Sequence, residues 1–357
     1  MKAAVCYEFG KPLVVEDVTL DPPKKGEVKV RMGATAVCHS DIHTIRGELG
    51  NRIPVVPGHE SAGFVEELGE GVTTVKKGET VVLSLLSSCR RCVQCVSGRP
   101  WLCEGKMPLA TESRLHNKKG QMLYAMTRTG SFAEFAVVDE SQVVAVPKDM
   151  PIDRAALLAC GVITGFGAVV NRAQVRPMSS VVVIGCGGVG LNSVQGAVAC
   201  GANPIMAVDV LDNKLDAAKR FGATHGVRGD GKDPAKDIKE LTEGRGADYV
   251  FVTVGNLAAV QQGFTMLGPR GLEVVVGLPP RGGTITVPGF MPGERMITSS
   301  NMGSTKLSVE IPKLVALYQT GRLKLDELIT ARYPLEKINE AIEAVEKGQA
   351  LRNVIMF

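Results

Sequence analysis

Cys89, Cys92, Cys95 and Cys103 form a CxxCxxC run closed by a fourth cysteine after a gap of seven residues. Two-residue gaps let successive thiolates converge on one ion, and four thiolates close a tetrahedral zinc shell with no position left for a substrate. The spacing predicts a structural metal site. An iron–sulfur cluster is the rival chemistry, since four thiolates suit it as well, and unpaired surface thiols are the plainer reading. The surrounding loop offers little that could form a core, so a bound ion is expected to supply its folding energy.

A second constellation handles phosphate. Val181 to Ile184 runs into Gly185-Cys186-Gly187-Gly188-Val189-Gly190, and a helical stretch follows from Leu191 to Cys200. The first glycine allows a tight turn, the second lets the backbone approach a pyrophosphate, and the third lets helix and strand pack closely. Asp209 ends the next strand, where a carboxylate can take the ribose hydroxyls of a dinucleotide and repel a 2′-phosphate. Its neighbours Val210, Leu211 and Asp212 offer no arginine to such a phosphate, so NAD is favoured over NADP.

Three more regions carry metal-capable groups: Cys38-His39-Ser40-Asp41-Ile42-His43, Gly58-His59-Glu60 and Leu157-Leu158-Ala159-Cys160-Gly161. They lie far apart in the chain and only folding could join them. Taken singly, Cys160 reads more readily as a core residue than as a ligand, and His43 as a solvated surface histidine.

The elements that must position these groups change character near the middle of the chain. Up to about Pro147 there are short β-type runs broken by Gly and Pro, at Ala3 to Tyr7, Glu27 to Met32, Gly63 to Leu68, Thr80 to Leu85 and Phe132 to Val138. From Val181 the rhythm becomes apolar run, glycine turn, helix, with strands at Val181 to Ile184, Ile205 to Asp209, Asp248 to Val254 and Glu273 to Gly277. That alternation predicts a parallel sheet covered by helices on both faces. Glu310 to Val345 reads as two helices and Asn353 to Phe357 as a closing strand.

Size and composition bound the rest. A chain of 357 residues exceeds one ordinary core and is expected to split into two domains. A net charge of only +4, with no basic block interleaved with aromatics, disfavours nucleic acid. Neither a signal-peptide pattern nor a run of about 20 uninterrupted apolar residues is present, so a soluble cytoplasmic protein without membrane contact is expected. Nine cysteines, four of them crowded together, suit a reducing compartment and metal binding better than disulfides.

The CHSDIH run, the GHE motif, the four-cysteine lobe, the LLACGVITGFGA stretch and the GCGGVG loop occur in the order and at approximately the separations of the zinc-containing medium-chain alcohol dehydrogenases. The chain resembles that family throughout, to Leu351-Arg352-Asn353. The resemblance implies an α/β architecture: a β-rich GroES-like catalytic domain over 1–160, to which 300–357 returns, and a Rossmann-type doubly wound parallel sheet domain over 161–299 that binds NAD. It implies two zinc ions per chain. One would be structural, on the four cysteines; the other would be catalytic, on Cys38, His59 and Cys160 with a fourth position open and Glu60 behind as an occasional ligand. Asp41 would orient His59, and Ser40 and His43 would relay a proton. Gly185, Gly187, Gly188, Val189, Gly190, Asp209 and Lys214 would hold the adenine half of the cofactor, with His39 and Arg352 at its pyrophosphate. The implied reaction is reversible oxidation of a primary or secondary alcohol to an aldehyde or ketone.

Departures narrow the expectation. His39 replaces the arginine that many members carry, and a partly charged imidazole that cannot fork onto two oxygens predicts looser cofactor binding. The glutathione-dependent formaldehyde dehydrogenases hold their tripeptide with charges near the positions of Leu49 and Met107, both apolar here, which disfavours that substrate. Leu49, Leu85 and the small Ser40 suggest a roomy apolar pocket for a medium-sized alcohol. The long, polar Glu104 to Gly130 segment resembles that of the dimeric branch, so a homodimer is expected over a tetramer. A polyol or threonine dehydrogenase of the same superfamily is the alternative enzyme, against which Cys160 argues. A zinc- and dinucleotide-binding relative without activity is the alternative from another class, and it would not need ligands, supporting residues and relay together.

Overall fold

Alternating β-branched residues build the first half of the chain into strands. A computed structural model describes residues 1–288 and 291–357 and divides into two units, Met1–Gly161 with Lys306–Phe357, and Val162–Thr305. In the first unit the strands are β1 (Lys2–Val5), β2 (Val14–Leu20), β3 (Glu27–Ala36), β4 (Glu60–Leu68), β5 (Thr80–Ser84), β6 (Phe135–Asp139) and β7 (Val143–Ala145). β3 is the spine. It pairs antiparallel with β4, β6 and the terminal strand Arg352–Met356, within a seven-stranded sheet that runs β7-β5-β4-β3 and on through Arg352–Met356 to Ile329–Pro334. Val28, Val30 and Met32 alternate along one face of β3 and pack with Val65, Val81, Leu83 and Val138.

A second, five-stranded sheet joins β1 and β2 to Leu115–Asn117, Met122–Ala125 and Val55–Val56. The tail helix Ile338–Glu346 lays Ile338, Ala341, Ile342 and Val345 against that core, an i, i+3, i+4, i+7 stripe. The Glu104 to Gly130 segment, expected as a polar loop, contributes the hairpin of this sheet. Its anchor is Arg114, buried and forked onto buried Glu27 through Nε at 2.9 Å and Nη2 at 2.5 Å. A charge type that reads as surface in sequence is internal here because its partner is internal too.

The second unit is a six-stranded parallel sheet of β8 (Val181–Ile184), β9 (Ile205–Asp209), β10 (His225–Arg228), β11 (Ala247–Val252), β12 (Leu267–Val275) and β13 (Met296–Ser299), in the order β10-β9-β8-β11-β12-β13. That order is the doubly wound dinucleotide-binding topology. All four residues of β8 are buried, as a central parallel strand requires. β10 and β13 carry no apolar run to betray them. They are the sheet edges, β10 burying only Val227 and β13 burying no residue fully. One helical run, Ile152–Ala173, is long and apolar enough to cross a membrane by length and composition, but 89% of its apolar window is buried inside the structure, as in a core helix.

Candidate active site

Three buried donors converge in the first unit. Cys38 caps helix α1 (His39–Ile45) directly after β3; His59 sits in the turn that enters β4; Cys160 lies in the π-helical turn Leu158–Val162 that follows helix α2 (Ile152–Leu157). Gly58 takes φ +95°, and a Cβ there would fall 2.6 Å from Phe132, so the turn that presents His59 requires glycine. The two sulfurs and the imidazole nitrogen lie within 4.8 Å of one another. That span suits a tetrahedral zinc with bonds of about 2.0 to 2.3 Å.

Asp41 organises the set. Its Oδ2 accepts the Cys38 backbone N–H at 2.9 Å, and its Oδ1 accepts the Gly58 N–H at 3.0 Å and His59 Nδ1 at 2.9 Å. With Nδ1 committed to Asp41, Nε2 is the ring nitrogen left to ligate a cation, and that buried atom has no hydrogen-bond partner. Burial alone would drive the imidazole pKa down, but the Asp41 charge and hydrogen bond, with Cys38, hold it well above its usual value. The hydrogen bond from Cys160 is the largest influence holding Cys38 well below the usual thiol range, and the same contact, with burial, pushes Cys160 well above it. Like charges this close resist ionising together, and a divalent cation relieves that conflict.

Glu60, also fully buried, finds no hydrogen bond for either oxygen; burial first, and then the Cys38 charge, push it up to about 7 against the pull of Arg352 and His59. Arg352 lies 3.7 Å from Glu60, buried beside the two thiols. A Cβ at Gly161 would fall 1.8 Å from the guanidinium, so this packing explains that glycine.

The four-cysteine lobe converges in the same way, its sulfurs within 4.8 Å of one another. Backbone N–H groups of Cys89 and Gly105 point at the Cys103 sulfur at 3.2 and 3.3 Å, and that of Cys92 at the Cys89 sulfur at 3.3 Å. Backbone hydrogen bonds lower the Cys92 thiol to about 6, and burial leads the causes that raise Cys95 to about 12. No residue of Val93–Val96 or Pro100–Leu102 is buried, and Val93 and Val96 are exposed, so no apolar core holds the lobe. All nine cysteines are free.

In the second unit the glycine loop joins β8 to helix α3 (Gly188–Ala199), with Gly187 as its cap. Gly185 takes φ +88°; a Cβ at Gly190 would strike the Gly185 carbonyl oxygen at 1.8 Å; the space around Gly187 is open. Asp209 Oδ2 accepts the Cys186 N–H at 2.7 Å and Oδ1 that of Leu211 at 3.0 Å. Beside them a cavity of about 320 Å³ is lined by Ile184, Val208, Asp209, Val254 and Ala259.

Residues 24–148 match the alcohol dehydrogenase GroES-like domain and residues 188–320 the zinc-binding dehydrogenase domain. The chain is 39% identical to the NDMA-dependent alcohol dehydrogenase of Amycolatopsis methanolica, across 99% of this chain and 98% of that protein. It is 38% identical to the S-(hydroxymethyl)glutathione dehydrogenase of Saccharomyces cerevisiae, across 99% and 95%. The crystal structure of benzyl alcohol dehydrogenase from Acinetobacter calcoaceticus superposes with a TM-score of 0.93 at 33% identity, covering 100% of this chain and 99% of that one. The chain belongs to the zinc-containing medium-chain alcohol dehydrogenases. In this alcohol dehydrogenase Ser40 and His43 stand three residues apart on α1 and so on one face, with Ser40 Oγ 3.9 Å from the Cys38 sulfur. His39, the first residue of α1, is exposed, and Lys214, on helix α4 (Asp212–Arg220), is buried.

Three groups in this alcohol dehydrogenase lie outside every motif. Glu48 hydrogen-bonds His43. Arg228 stands opposite Asp209 in the β9–β10 register. Glu273, on β12, is wholly buried with neither oxygen hydrogen-bonded. A period-2 pattern would have flagged Glu273 as a charge inside an apolar run; nothing local marks the other two.

Proposed function

We propose that the chain catalyses reversible oxidation of a primary or secondary alcohol to an aldehyde or ketone with NAD as hydride acceptor. The observation that carries this reading is the buried, unpartnered His59 Nε2 within 4.8 Å of two buried sulfurs. Cys38, His59 and Cys160 would hold a catalytic zinc and the four-cysteine lobe a structural one. A zinc so held supplies Lewis acidity, which lowers the pKa of a hydroxyl and polarises a carbonyl. Asp41 keeps the His59 lone pair aimed inward, and Glu60 stands behind as an occasional ligand or counter-charge for Arg352.

Ser40 and His43 carry the released proton to solvent, since a hydroxyl and an imidazole can each accept a proton on one side and donate one on the other. Asp209 takes the adenosine ribose and repels a 2′-phosphate, and the apolar cavity beside it takes the adenine. Gly188, Val189 and their neighbours present N–H groups to the pyrophosphate; His39 and Arg352 add positive charge, more weakly at His39 than an arginine would. Leu49 and Leu85 favour a medium-sized apolar alcohol over a charged thiol adduct. Free cysteines fit a cytoplasmic setting. The outer edge of β13, unpaired among the described residues, is the kind of edge a second copy covers, in keeping with a homodimer.

The test is a panel of simple and aromatic alcohols, polyols and threonine, assayed for NAD and NADP reduction, with and without added NDMA, alongside zinc analysis. Two zinc ions per chain and NAD reduction with a simple or aromatic alcohol are expected. Turnover of polyols or threonine alone would establish the alternative enzyme, and no turnover of any would overturn the catalytic reading.

A further inference from the structure

Helix α1 ends in a turn that folds back on itself. The Arg46 N–H donates to the Ile42 carbonyl at 2.9 Å and the Gly47 N–H to Thr44 at 3.0 Å. Gly47 then takes φ +77°, where a Cβ would lie 2.9 Å from the Phe9 ring. Only glycine makes this bend without strain against Phe9. The bend returns Glu48 to the residue that began the last turn: its backbone N–H donates to the His43 carbonyl at 2.9 Å, and its Oε2 is hydrogen-bonded to His43 Nδ1. The other carboxylate oxygen faces Arg46 at 4.0 Å, whose guanidinium is itself tied to Glu346 at 2.7 Å.

Glu48 is thus fastened at both ends to one residue. A carboxylate oxygen is the acceptor of this pair and Nδ1–H the donor, so in the neutral ring the lone pair lies on Nε2. The same device holds His59 through Asp41 and leaves its Nε2 to ligate a zinc, were one bound; at His43 it would aim a base. Ser40 stands one turn earlier on the same face of α1.

We propose that Glu48 is a positioning residue for the proton relay, fixing His43 in the tautomer whose Nε2 receives the proton that leaves through Ser40. The inference rests on the relay reading of Ser40 and His43. In the forward direction Nε2 gains the proton, the imidazolium keeps its Nδ1–H on Glu48, and water then removes a proton from the ring, so nothing accumulates on the carboxylate.

The test is a double-mutant cycle on the holoenzyme, using single-turnover rates of alcohol oxidation, which report chemistry and not product release. Wild type, His43→Gln, Glu48→Ala and the double variant are compared, with melting temperature and zinc content as controls. A relay base contributes about 10² to 10⁴ in rate, and its positioning is expected to account for about tenfold of that. Glu48→Ala should slow single turnover about tenfold, leave cofactor affinity within about twofold, and have no further effect in the His43→Gln background. The ¹⁵N resonances of the His43 ring should move from a single-tautomer pair towards averaged values in Glu48→Ala; the chain has only 5 histidines to assign.

If His43→Gln slows turnover but Glu48→Ala does not, or if Glu48→Ala slows both backgrounds equally, Glu48 does not act through His43 and the proposal fails. If His43→Gln leaves single turnover unchanged, the relay reading fails and takes the proposal with it. Unaltered ring resonances in Glu48→Ala would also overturn it.

Discussion

Asp41 Oδ1 accepts a hydrogen bond from His59 Nδ1 at 2.9 Å with both side chains wholly buried. Because the same carboxylate also receives the N–H groups of Cys38 and Gly58, it joins the segment that follows β3 to the turn that enters β4. Its contribution is geometric as well as electrostatic: it sets the tautomer of His59 and the position of Cys38 together.

Asp41→Asn therefore replaces one of two acceptors with a donor, which must face either the His59 N–H or a backbone N–H. Loss of such a supporting partner typically costs 10- to 100-fold in metal affinity. Titrating zinc retention against a chelator should show a drop of that size for one of the two ions. Equal retention in wild type and variant would show that Asp41 does not set the ligand.

The two cysteine sets should fail differently. Cys38 and Cys160 lie in a densely packed core, whereas the four-cysteine lobe buries none of its short helical residues. Cys38→Ser should leave one zinc per chain, abolish turnover and change the melting temperature little. Cys89→Ser should also leave one zinc but should lower the melting temperature and expose the 89–103 lobe to protease. Metal analysis with calorimetry distinguishes the pair, and destabilisation by both substitutions would contradict the catalytic assignment.

This division explains what could be read in the sequence and what could not. The four-cysteine lobe and the glycine loop are local: their geometry is fixed by gaps of a few residues, so type and spacing suffice. The strands β8 and β9 are legible because central parallel strands are apolar throughout. Cys38, His59 and Cys160 come together only through the β3–β4 pairing and a π turn, neither of which has a local signature. Edge strands β10 and β13 carry no apolar run, and Arg114 looks like surface charge until Glu27 is placed opposite it, 87 residues away in the chain.

Glu273 makes stability depend on pH. Burial without a partner raises its carboxyl to about 8 in the folded chain, against 4.5 when exposed. The folded state therefore holds a proton that the unfolded state releases. The contribution is fully present below about pH 4.5 and is lost as the pH rises towards 8, a difference of up to about 5 kcal/mol. Glu273→Gln keeps the shape without the titration. Its melting temperature relative to wild type should rise from pH 5 to about pH 8 and level off above it, and parallel curves would show that the carboxyl is not protonated inside the sheet.

The proposed role of His39 at the cofactor pyrophosphate bears on cofactor exchange. An arginine at this exposed first position of α1 could fork onto two phosphate oxygens where an imidazole cannot. Stopped-flow measurement should show slower NADH dissociation from His39→Arg, roughly tenfold if one charge-assisted pair is gained; a rate unchanged or faster would remove His39 from the pyrophosphate.

The proposed preference for NAD over NADP would rest in part on a cation that is held away. Arg228 faces Asp209 across the β9–β10 register, yet its guanidinium is bound bidentately by Asp230 at 2.8 and 2.9 Å and by Asp212 at 3.0 Å. These carboxylates offset its charge and fix its direction, while Asp209 adds direct repulsion of a 2′-phosphate. Asp209→Ser alone removes the repulsion and should raise the NADP to NAD ratio of kcat/KM modestly. Adding Asp212→Asn and Asp230→Asn frees Arg228 to fork onto the phosphate, and the ratio should rise about a further tenfold, the size of one charge-assisted hydrogen bond. A triple variant no better with NADP than the single one would mean that Arg228 does not reach the ribose.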